Sequence, residues 1–185
     1  MGQVTAVVCA AFDSRTDVAI EAVRSRIVAL DPRIRAPGDR PHVTLAAAQV
    51  TPGAELDQLL AVVGDLAVRH SPLPLTFAEV GTFPRTGVLW LGPSPSSSLG
   101  ALQRDAAASL LAAGWPQAFG EQSDPQRWVP HCTVARGVPR TARREVLDAA
   151  RAACAPVRAS VDELITILVG RGVHARVPLT DRSAQ

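Results

Sequence analysis

The sequence carries one six-residue segment twice, once in each half of the chain. Residues 41–46 read PHVTLA and residues 130–135 read PHCTVA, so four of six positions are identical and the other two exchange one apolar residue for another. Each copy follows a loop and opens a predicted strand, over 42–50 in the first half and 131–136 in the second. A single His-x-Thr is a weak signal, but two copies in matching surroundings indicate an internal duplication.

The spacing within each copy places the histidine and the threonine on one face of their strand. Side chains alternate across a strand, so residues two apart point the same way. His42 and Thr44 therefore share a face, and so do His131 and Thr133. Each strand is expected to bury its apolar side and to present an imidazole and a hydroxyl. If a pseudo-two-fold axis relates the halves, these polar faces meet in one cleft.

The elements around the two copies follow the same order in each half: strand, helix, strand, helix, strand. Apolar periodicity predicts helices near 14–30, 52–66, 98–113 and 140–154, and strands near 4–12, 42–50, 72–80, 88–91, 131–136, 157–160, 164–169 and 173–178. Asp13, Thr51 and Ser96 precede three of the helices as capping residues. We predict one domain over 1–180, with related halves at about 3–84 and 86–178 and a loose tail at 181–185.

Charge and composition favour a small phosphate ligand, or the end of an RNA, over a long nucleic acid. The formal net charge is +2, whereas proteins that grip many phosphates usually carry a stronger basic bias. All 19 basic residues are arginine, so every cation that meets a phosphate is a planar fork. Arg33, Arg35 and Arg40 lie together before the first segment, where they either steer an RNA end or belong to a solvated loop.

The cysteines and the N-terminal residues predict a reducing compartment. Cys9, Cys132 and Cys154 are odd in number and form no Cys-x-x-Cys pair, which argues against a disulfide framework and against a zinc ribbon. The apolar stretch Val4–Phe12 has no basic segment before it and is short for a signal peptide or a membrane span. We expect a cytoplasmic monomer without membrane association.

Two imidazoles that face one phosphate suit phosphodiester chemistry. A neutral histidine takes a proton from the attacking water or hydroxyl, and a protonated one gives a proton to the leaving oxygen. We predict His42 and His131 as the catalytic pair, with Thr44 and Thr133 binding the non-bridging phosphate oxygens. This scheme requires no metal ion and no cofactor. The two remaining histidines lie outside any repeated context and are interpreted as structural or surface residues.

A long irregular loop over 115–130 leads into the second segment, and such loops are often functional. Within it, Trp128 either stacks on a base or pins the loop to the core. Arg136, just after the second strand, either clamps phosphate or pairs with a carboxylate such as Glu121 or Asp124. Both residues are candidate substrate contacts, with these alternatives open.

The two segments resemble the two-histidine (2H) phosphoesterase superfamily, of the 2′-5′ RNA ligase-like and RNA 2′,3′-cyclic phosphodiesterase kind. The resemblance rests on PHVTL at 41–45 and PHCTVAR at 130–136, with GTFP at 81–84 leading into VLWLG at 88–92, and it covers nearly the whole chain. It implies a bilobal α+β fold with pseudo-two-fold symmetry, in which antiparallel sheets line a central cleft.

The resemblance also implies metal-independent chemistry on 2′,3′-cyclic phosphates or 2′-5′ linkages. By motif match, His42 and His131 take the acid and base roles, Thr44 and Thr133 bind phosphate, and Arg136 occupies a place where relatives often carry arginine. The leading hypothesis is a hydrolase that opens cyclic phosphates at RNA 3′ ends or on small nucleotides. The alternatives are 2′-5′ RNA ligation at the same site and a non-catalytic RNA- or nucleotide-binding module.

Overall fold

Helices and strands alternate along the chain around one long shared strand. The computed structural model describes residues 2–116, 118–119, 126–154 and 156–180. In chain order the elements are β1 (Val4–Phe12), α1 (Ser14–Val28), β2 (His42–Val50), α2 (Ala54–Arg69), β3 (Leu73–Phe83), β4 (Val88–Pro93), α3 (Ser97–Ala112), β5 (Cys132–Ala135), α4 (Arg143–Ala153), β6 (Val157–Leu168) and β7 (Gly172–Pro178). The predicted tail at 181–185 lies outside the described residues.

Local capping chemistry explains where the helices begin. The Asp13 carboxylate accepts a hydrogen bond from the Thr16 amide at 2.6 Å, and the Ser96 hydroxyl accepts one from the Leu99 amide at 3.2 Å, which confirms those two predicted starts. The second helix begins later than predicted. Its N-cap is Gly53, which has a φ of 105°. Residues other than glycine rarely adopt this backbone conformation, which lets the chain turn into α2.

Strand β6 runs through both parts of an entirely antiparallel sheet. Residues 161–168 pair with β1, and the same stretch pairs with β7 along its other side, whereas residues 157–161 pair with β3. We call β2, β1, β7 and the end of β6 the first lobe, and β5, β4, β3 and the start of β6 the second lobe. This arrangement confirms the predicted α+β fold with two lobes.

Two predicted breaks between strands are wrong because the ladder continues through them. Val161 pairs with both Phe12 and Leu73, so the segments predicted at 157–160 and 164–169 form one strand. Strand β3 extends past the predicted 72–80, since residues 81–83 pair with β4, and the turn between them shrinks to 84–87. The breaks were predicted there because Asp162 and Glu163 interrupt the apolar pattern of β6, and because Gly81 was interpreted as the start of a turn.

The helices are exchanged between the two lobes. Helix α1 leads into β2 but packs against β5 and β6 with α4, and α3 leads into β5 but packs against β2 and α2. Each lobe therefore contains elements from both sides of the predicted boundary between 84 and 86, and the division into halves stays a prediction about the duplication. Among the described helices, none is long and apolar enough to cross a membrane.

Both strands that carry the repeated segment contain a bulge at the same place. Opposite β1, Val8 pairs with Ala46 and Cys9 with Thr44, so Leu45 has no partner. In the second copy, Leu89 pairs with Ala135 and Trp90 with Thr133, so Val134 has none. A bulge reverses the alternation of faces. The strands can therefore bury apolar residues before and after it while His and Thr keep their common face.

The bulge in β2 is completed by a buried side chain of the exchanged helix. Gln103 of α3 is 1 % exposed, and its amide nitrogen donates to the Leu45 carbonyl oxygen at 3.3 Å. Buried carbonyl groups need such a donor because water does not reach them. The exchange of helices thus supplies a hydrogen bond that the sheet itself lacks.

Replacing Gln103 with leucine should lower the free energy of unfolding by about 1–3 kcal/mol, because the Leu45 carbonyl is left buried without a donor. Urea unfolding measures the change. Leu111→Ala, on the exposed face of the same helix, serves as the control and should change it by less than about 0.5 kcal/mol. An unaltered stability of the Gln103→Leu variant would contradict the role given to this hydrogen bond.

Candidate active site

The two repeated strands end the hydrogen-bonded path of the sheet and nevertheless lie against each other. β2 and β5 are its terminal strands, and they contact each other although no ladder joins them. The backbone of His42 is a hydrogen-bonding partner of the Cys132 thiol, whose pKa is raised to about 11 by burial. Further along, the amides of Arg35 and Arg136 each donate to the other's carbonyl, at 2.9 and 2.8 Å.

Both histidines are held in the same tautomer by the same kind of contact. Nδ1 of His42 lies 2.7 Å from the Arg40 carbonyl oxygen, and Nδ1 of His131 lies 2.8 Å from the Val129 carbonyl oxygen. Because a carbonyl oxygen accepts hydrogen bonds only, each Nδ1 carries the hydrogen. Nε2 is then the atom on each ring that takes up or releases a proton.

The surroundings of both rings favour their neutral form. Burial lowers the pKa of His42, the Arg40 carbonyl and Asp39 oppose this effect, and the charges of Arg24 and His131 add to it. Burial also lowers the pKa of His131, against the Val129 carbonyl. A positive charge on His131 therefore disfavours protonation of His42. An anionic group bound between them would raise both pKa values.

The predicted threonines stand beside the histidines on the same strands. Thr44 and Thr133 are half-buried, and the Thr44 hydroxyl lies 3.9 Å from the sulfur of the buried Cys9. Trp90 of β4 is the pairing partner of Thr133 across the sheet. Because β2 contacts β5 and the charge of His131 acts on His42, the structure places the four predicted residues, His42, Thr44, His131 and Thr133, in one region.

His131 is flanked by two aromatic rings, and the position of one of them, Trp90, depends on two glycines. The rings of Phe83 and His131 meet edge to face at 4.9 Å, and the Trp90 ring lies 6.4 Å from His131. A Cβ atom at Gly81 would lie 2.2 Å from the Trp90 ring, and one at Gly92 would lie 2.8 Å from it. These residues were noted in the sequence only as part of a resemblance, and their spacing gave no sign of contact with His131.

The candidate substrate contacts Trp128 and Arg136 have different surroundings. The Trp128 indole nitrogen donates to the Thr44 carbonyl at 3.0 Å, so it fastens the loop to the first strand. The Arg136 side chain is exposed and has no hydrogen bond or ion pair within the described parts of the chain. Its predicted alternative partners Glu121 and Asp124 lie outside the described residues.

The arginines before the first segment are engaged within the protein. Arg40 donates to Asp17 at 2.5 Å and also to Glu163 and the Phe12 carbonyl. Arg33 pairs with Asp31 at 2.7 Å. The interpretation of this group as a guide for RNA is wrong for Arg40, which anchors the segment that carries the His42 contact.

A buried arginine that the sequence did not single out lies between the two strands. Arg24 of α1 donates to the backbone carbonyls of Asp39 and Thr133, at 2.8 and 3.0 Å. Its signal in the sequence was its place among Ile20, Val23 and Ile27 on the apolar face of a helix. No three His, Cys, Asp or Glu side chains among the described residues form a group suited to a metal ion.

Comparison with known proteins gives one matching family and several similar folds. The model of the 2'-5' RNA ligase superfamily matches residues 12–172. Escherichia coli LigT, in complex with 3'-AMP, aligns with a TM-score of 0.70 and 20% identity over 97% of this chain and 99% of LigT. The protein TT0787 of Thermus thermophilus aligns with a TM-score of 0.67 and 17% identity, over 96% of this chain and 99% of that protein.

One further solved structure aligns with a lower TM-score. The MHV ns2 PDE domain aligns with a TM-score of 0.51 and 18% identity, over 74% of this chain and 84% of that domain. At these identities the solved structures show a shared fold. Among proteins with curated descriptions, none matches the sequence.

Gly81→Ala should displace the Trp90 ring, because the added Cβ would lie 2.2 Å from it. We expect overpacking to lower the free energy of unfolding by about 1–3 kcal/mol and to shift the NMR signals of the His131 ring. Gly64→Ala is the matched control, since a Cβ there meets nothing within 4 Å. In the interior of α2 it should instead add up to about 1 kcal/mol. A fully stable Gly81→Ala variant would show that the ring does not lie against the glycine.

The lowered histidine pKa values predict a pH dependence of stability. Below the ordinary histidine pKa the unfolded chain binds protons that the folded His131 still refuses, so the free energy of unfolding falls as the pH drops through this window. His131→Gln removes this contribution. Urea unfolding between pH 8 and pH 5 should therefore show wild type losing more stability than the variant, and equal losses would contradict the burial of the ring.

Proposed function

The chain belongs to the 2'-5' RNA ligase superfamily, and from this membership and its two His-x-Thr segments we propose that it is a metal-independent phosphodiesterase. Its substrate is a 2′,3′-cyclic phosphate at an RNA 3′ end or on a small nucleotide. The observation that carries the proposal is the pair His42 and His131, each with Nδ1 bound to the carbonyl two residues before it and Nε2 left for proton transfer.

The proposed reaction is one in-line displacement at phosphorus. The neutral histidine takes a proton from water as the water oxygen bonds to phosphorus, and the bond from phosphorus to one ribose oxygen breaks. The other histidine, protonated, gives its proton to that oxygen, so the product is a phosphomonoester beside a free hydroxyl. Exchange with solvent then restores the starting protonation of both rings.

The two threonines and the substrate's own charge complete this scheme. The hydroxyls of Thr44 and Thr133 donate to the non-bridging oxygens, which fixes phosphorus between the two Nε2 atoms. In the free protein both rings favour the neutral form. The negative charge of the bound phosphodiester raises their pKa values, which allows one ring to hold the proton that the leaving oxygen needs.

The relatives support a nucleotide substrate. LigT has been crystallised with 3'-AMP, NADP+, ATP and phosphate. In this chain Arg136 offers a guanidinium without an internal partner among the described residues, and we assign it to the phosphate or to the next phosphate along an RNA. Trp128 uses its N–H on Thr44, so its contribution to the substrate is through a ring face.

The setting of the reaction follows from the thiols. Cys9, Cys132 and Cys154 are all free, and the first two are buried. Free buried thiols are typical of reducing compartments. We place the protein in the cytoplasm, as a monomer.

Turnover of nucleoside 2′,3′-cyclic phosphates tests the proposal. His42→Ala and His131→Ala should each lower kcat by about 10²–10⁴-fold, because each removes one proton-transfer group. Wild-type activity should survive EDTA and follow a bell-shaped pH profile. His174→Ala, on an exposed position of β7, is the control and should match wild type.

The opposite outcomes are equally specific. A His42→Ala or His131→Ala variant that retains wild-type turnover would contradict the paired mechanism, and full loss of activity in EDTA would contradict the metal-free scheme. Joining of a 2′,3′-cyclic end to a 5′-hydroxyl RNA, with no hydrolysis, would assign the site to 2′-5′ ligation. Binding of oligonucleotides without any turnover would identify a binding module.

A further inference from the structure

We propose that Arg24 is a positioning residue that holds the two His-x-Thr strands at a fixed separation. The inference rests on the proposed function, because the distance between the two histidines matters only if they act as a pair. Arg24 itself touches neither the reacting groups nor the threonine hydroxyls. It acts through the backbone carbonyl of Asp39, in the loop before β2, and that of Thr133 in β5.

The burial of Arg24 requires specific partners. Its side chain is 2 % exposed and lies on the inner face of α1, between Val23 and Ile27. A buried cation is strongly destabilising unless hydrogen bonds replace its hydration. One partner, Glu21, binds Nη1 at 2.6 Å but is itself half exposed. The remaining partners are backbone carbonyls. A neutral donor would satisfy them equally well, so we infer that the buried guanidinium serves to fix their positions.

These two carbonyls lie near the two histidines in sequence, one beside each. Nη1 donates to the carbonyl of Asp39, three residues before His42, and Nη2 donates to the carbonyl of Thr133. The guanidinium is planar and rigid, so its fork fixes the distance between the two oxygens. One side chain therefore fixes the loop that precedes His42 relative to β5, the strand that follows His131.

Arg24 also joins residues 35–42 to residues 132–136 where backbone hydrogen bonds between them are missing. We call this contact the seam. At one end of the seam Arg35 and Arg136 exchange two backbone hydrogen bonds, and at the other the His42 backbone meets the Cys132 thiol. Within the described part of the chain, no backbone hydrogen bond joins 36–41 to 132–136. Between its ends the seam depends on the guanidinium fork.

The charge of Arg24 gives this role a spectroscopic signature. The groups that act on the His42 ring are the Arg40 carbonyl and Asp39, which raise its pKa, and Arg24 and His131, which lower it together with burial. For His131 the causes are burial and the Val129 carbonyl alone. Removing the Arg24 charge should therefore raise the pKa of His42 and leave that of His131 in place.

The experiment compares Arg24→Met, Arg24→Lys and Ile27→Ala with wild type. Methionine keeps much of the buried stem without charge or fork, and lysine keeps the charge without the fork. Ile27→Ala destabilises the same helix while Arg24 keeps its hydrogen bonds. Turnover of a nucleoside 2′,3′-cyclic phosphate gives kcat and KM, and NMR titration of the ring nitrogens follows each histidine. Thermal unfolding reports how far each variant is destabilised.

We expect Arg24→Met to lose about 10²-fold in kcat, the effect of a misplacement of about 1 Å, with a smaller change in KM. Its His42 titration should move to higher pH. Arg24→Lys should titrate like wild type but still lose kcat, because the fork is gone. Ile27→Ala, even with a similar fall in Tm, should keep the wild-type kcat.

Other results would overturn the inference. It fails if Arg24→Met keeps its kcat, or loses no more than Ile27→Ala does, or if its His42 titration is unmoved. If Arg24→Met does not fold, Arg24→Lys decides: wild-type kcat in that variant shows that the fork has no positioning role. If wild type turns over no phosphodiester, the proposed function fails, whereas the His42 titration in Arg24→Met still tests whether Arg24 lies beside that ring.

Discussion

The carbonyl groups along the free edges of β2 and β5 impose the main constraint on this fold. An edge strand leaves a row of backbone groups without partners, and buried ones must find donors elsewhere. On β2 the donors are Trp128, Gln103 and the amide of Ala118, and on β5 one is Arg24. Each donor comes from an element that connects to the opposite lobe or to the loop before the second histidine. The hydrogen bonds to these edge carbonyls therefore hold both lobes together around the histidines.

The repeated segment predicted which polar side chains share a strand face, because that information is local. Alternation along a strand is enough to put His42 with Thr44 and His131 with Thr133, and side-chain oxygens are enough to start helices after Asp13 and Ser96. The exchange of helices had no such signal, since a helix with one apolar stripe fits either lobe equally well. The paired bulges after the threonines were also hidden, because a bulge depends on the partner strand.

The roles of the arginines were the least predictable part of the site. A basic residue in an amphipathic helix normally faces solvent, and a run of them in a loop does so too. Arg24 is buried because two carbonyls from distant segments converge on it, and Arg40 is fixed by Asp17 and Glu163. Both arrangements rest on contacts far apart in sequence, which neither periodicity nor composition records.

The duplicated strands end up with unlike surroundings, and this difference suits the acid–base pair that we propose. Burial lowers the pKa of both rings, and at His42 the opposing charges of Asp39 and Arg24 act in addition. The His131 ring instead lies beside Phe83 and Trp90. An acid and a base must hold their proton differently at the moment of reaction, although their rings share one tautomer. A symmetric pair would have to break that equivalence through the substrate alone. Here the two rings differ before substrate binds, because neighbouring charges act on the pKa of His42 and are not among the causes at His131.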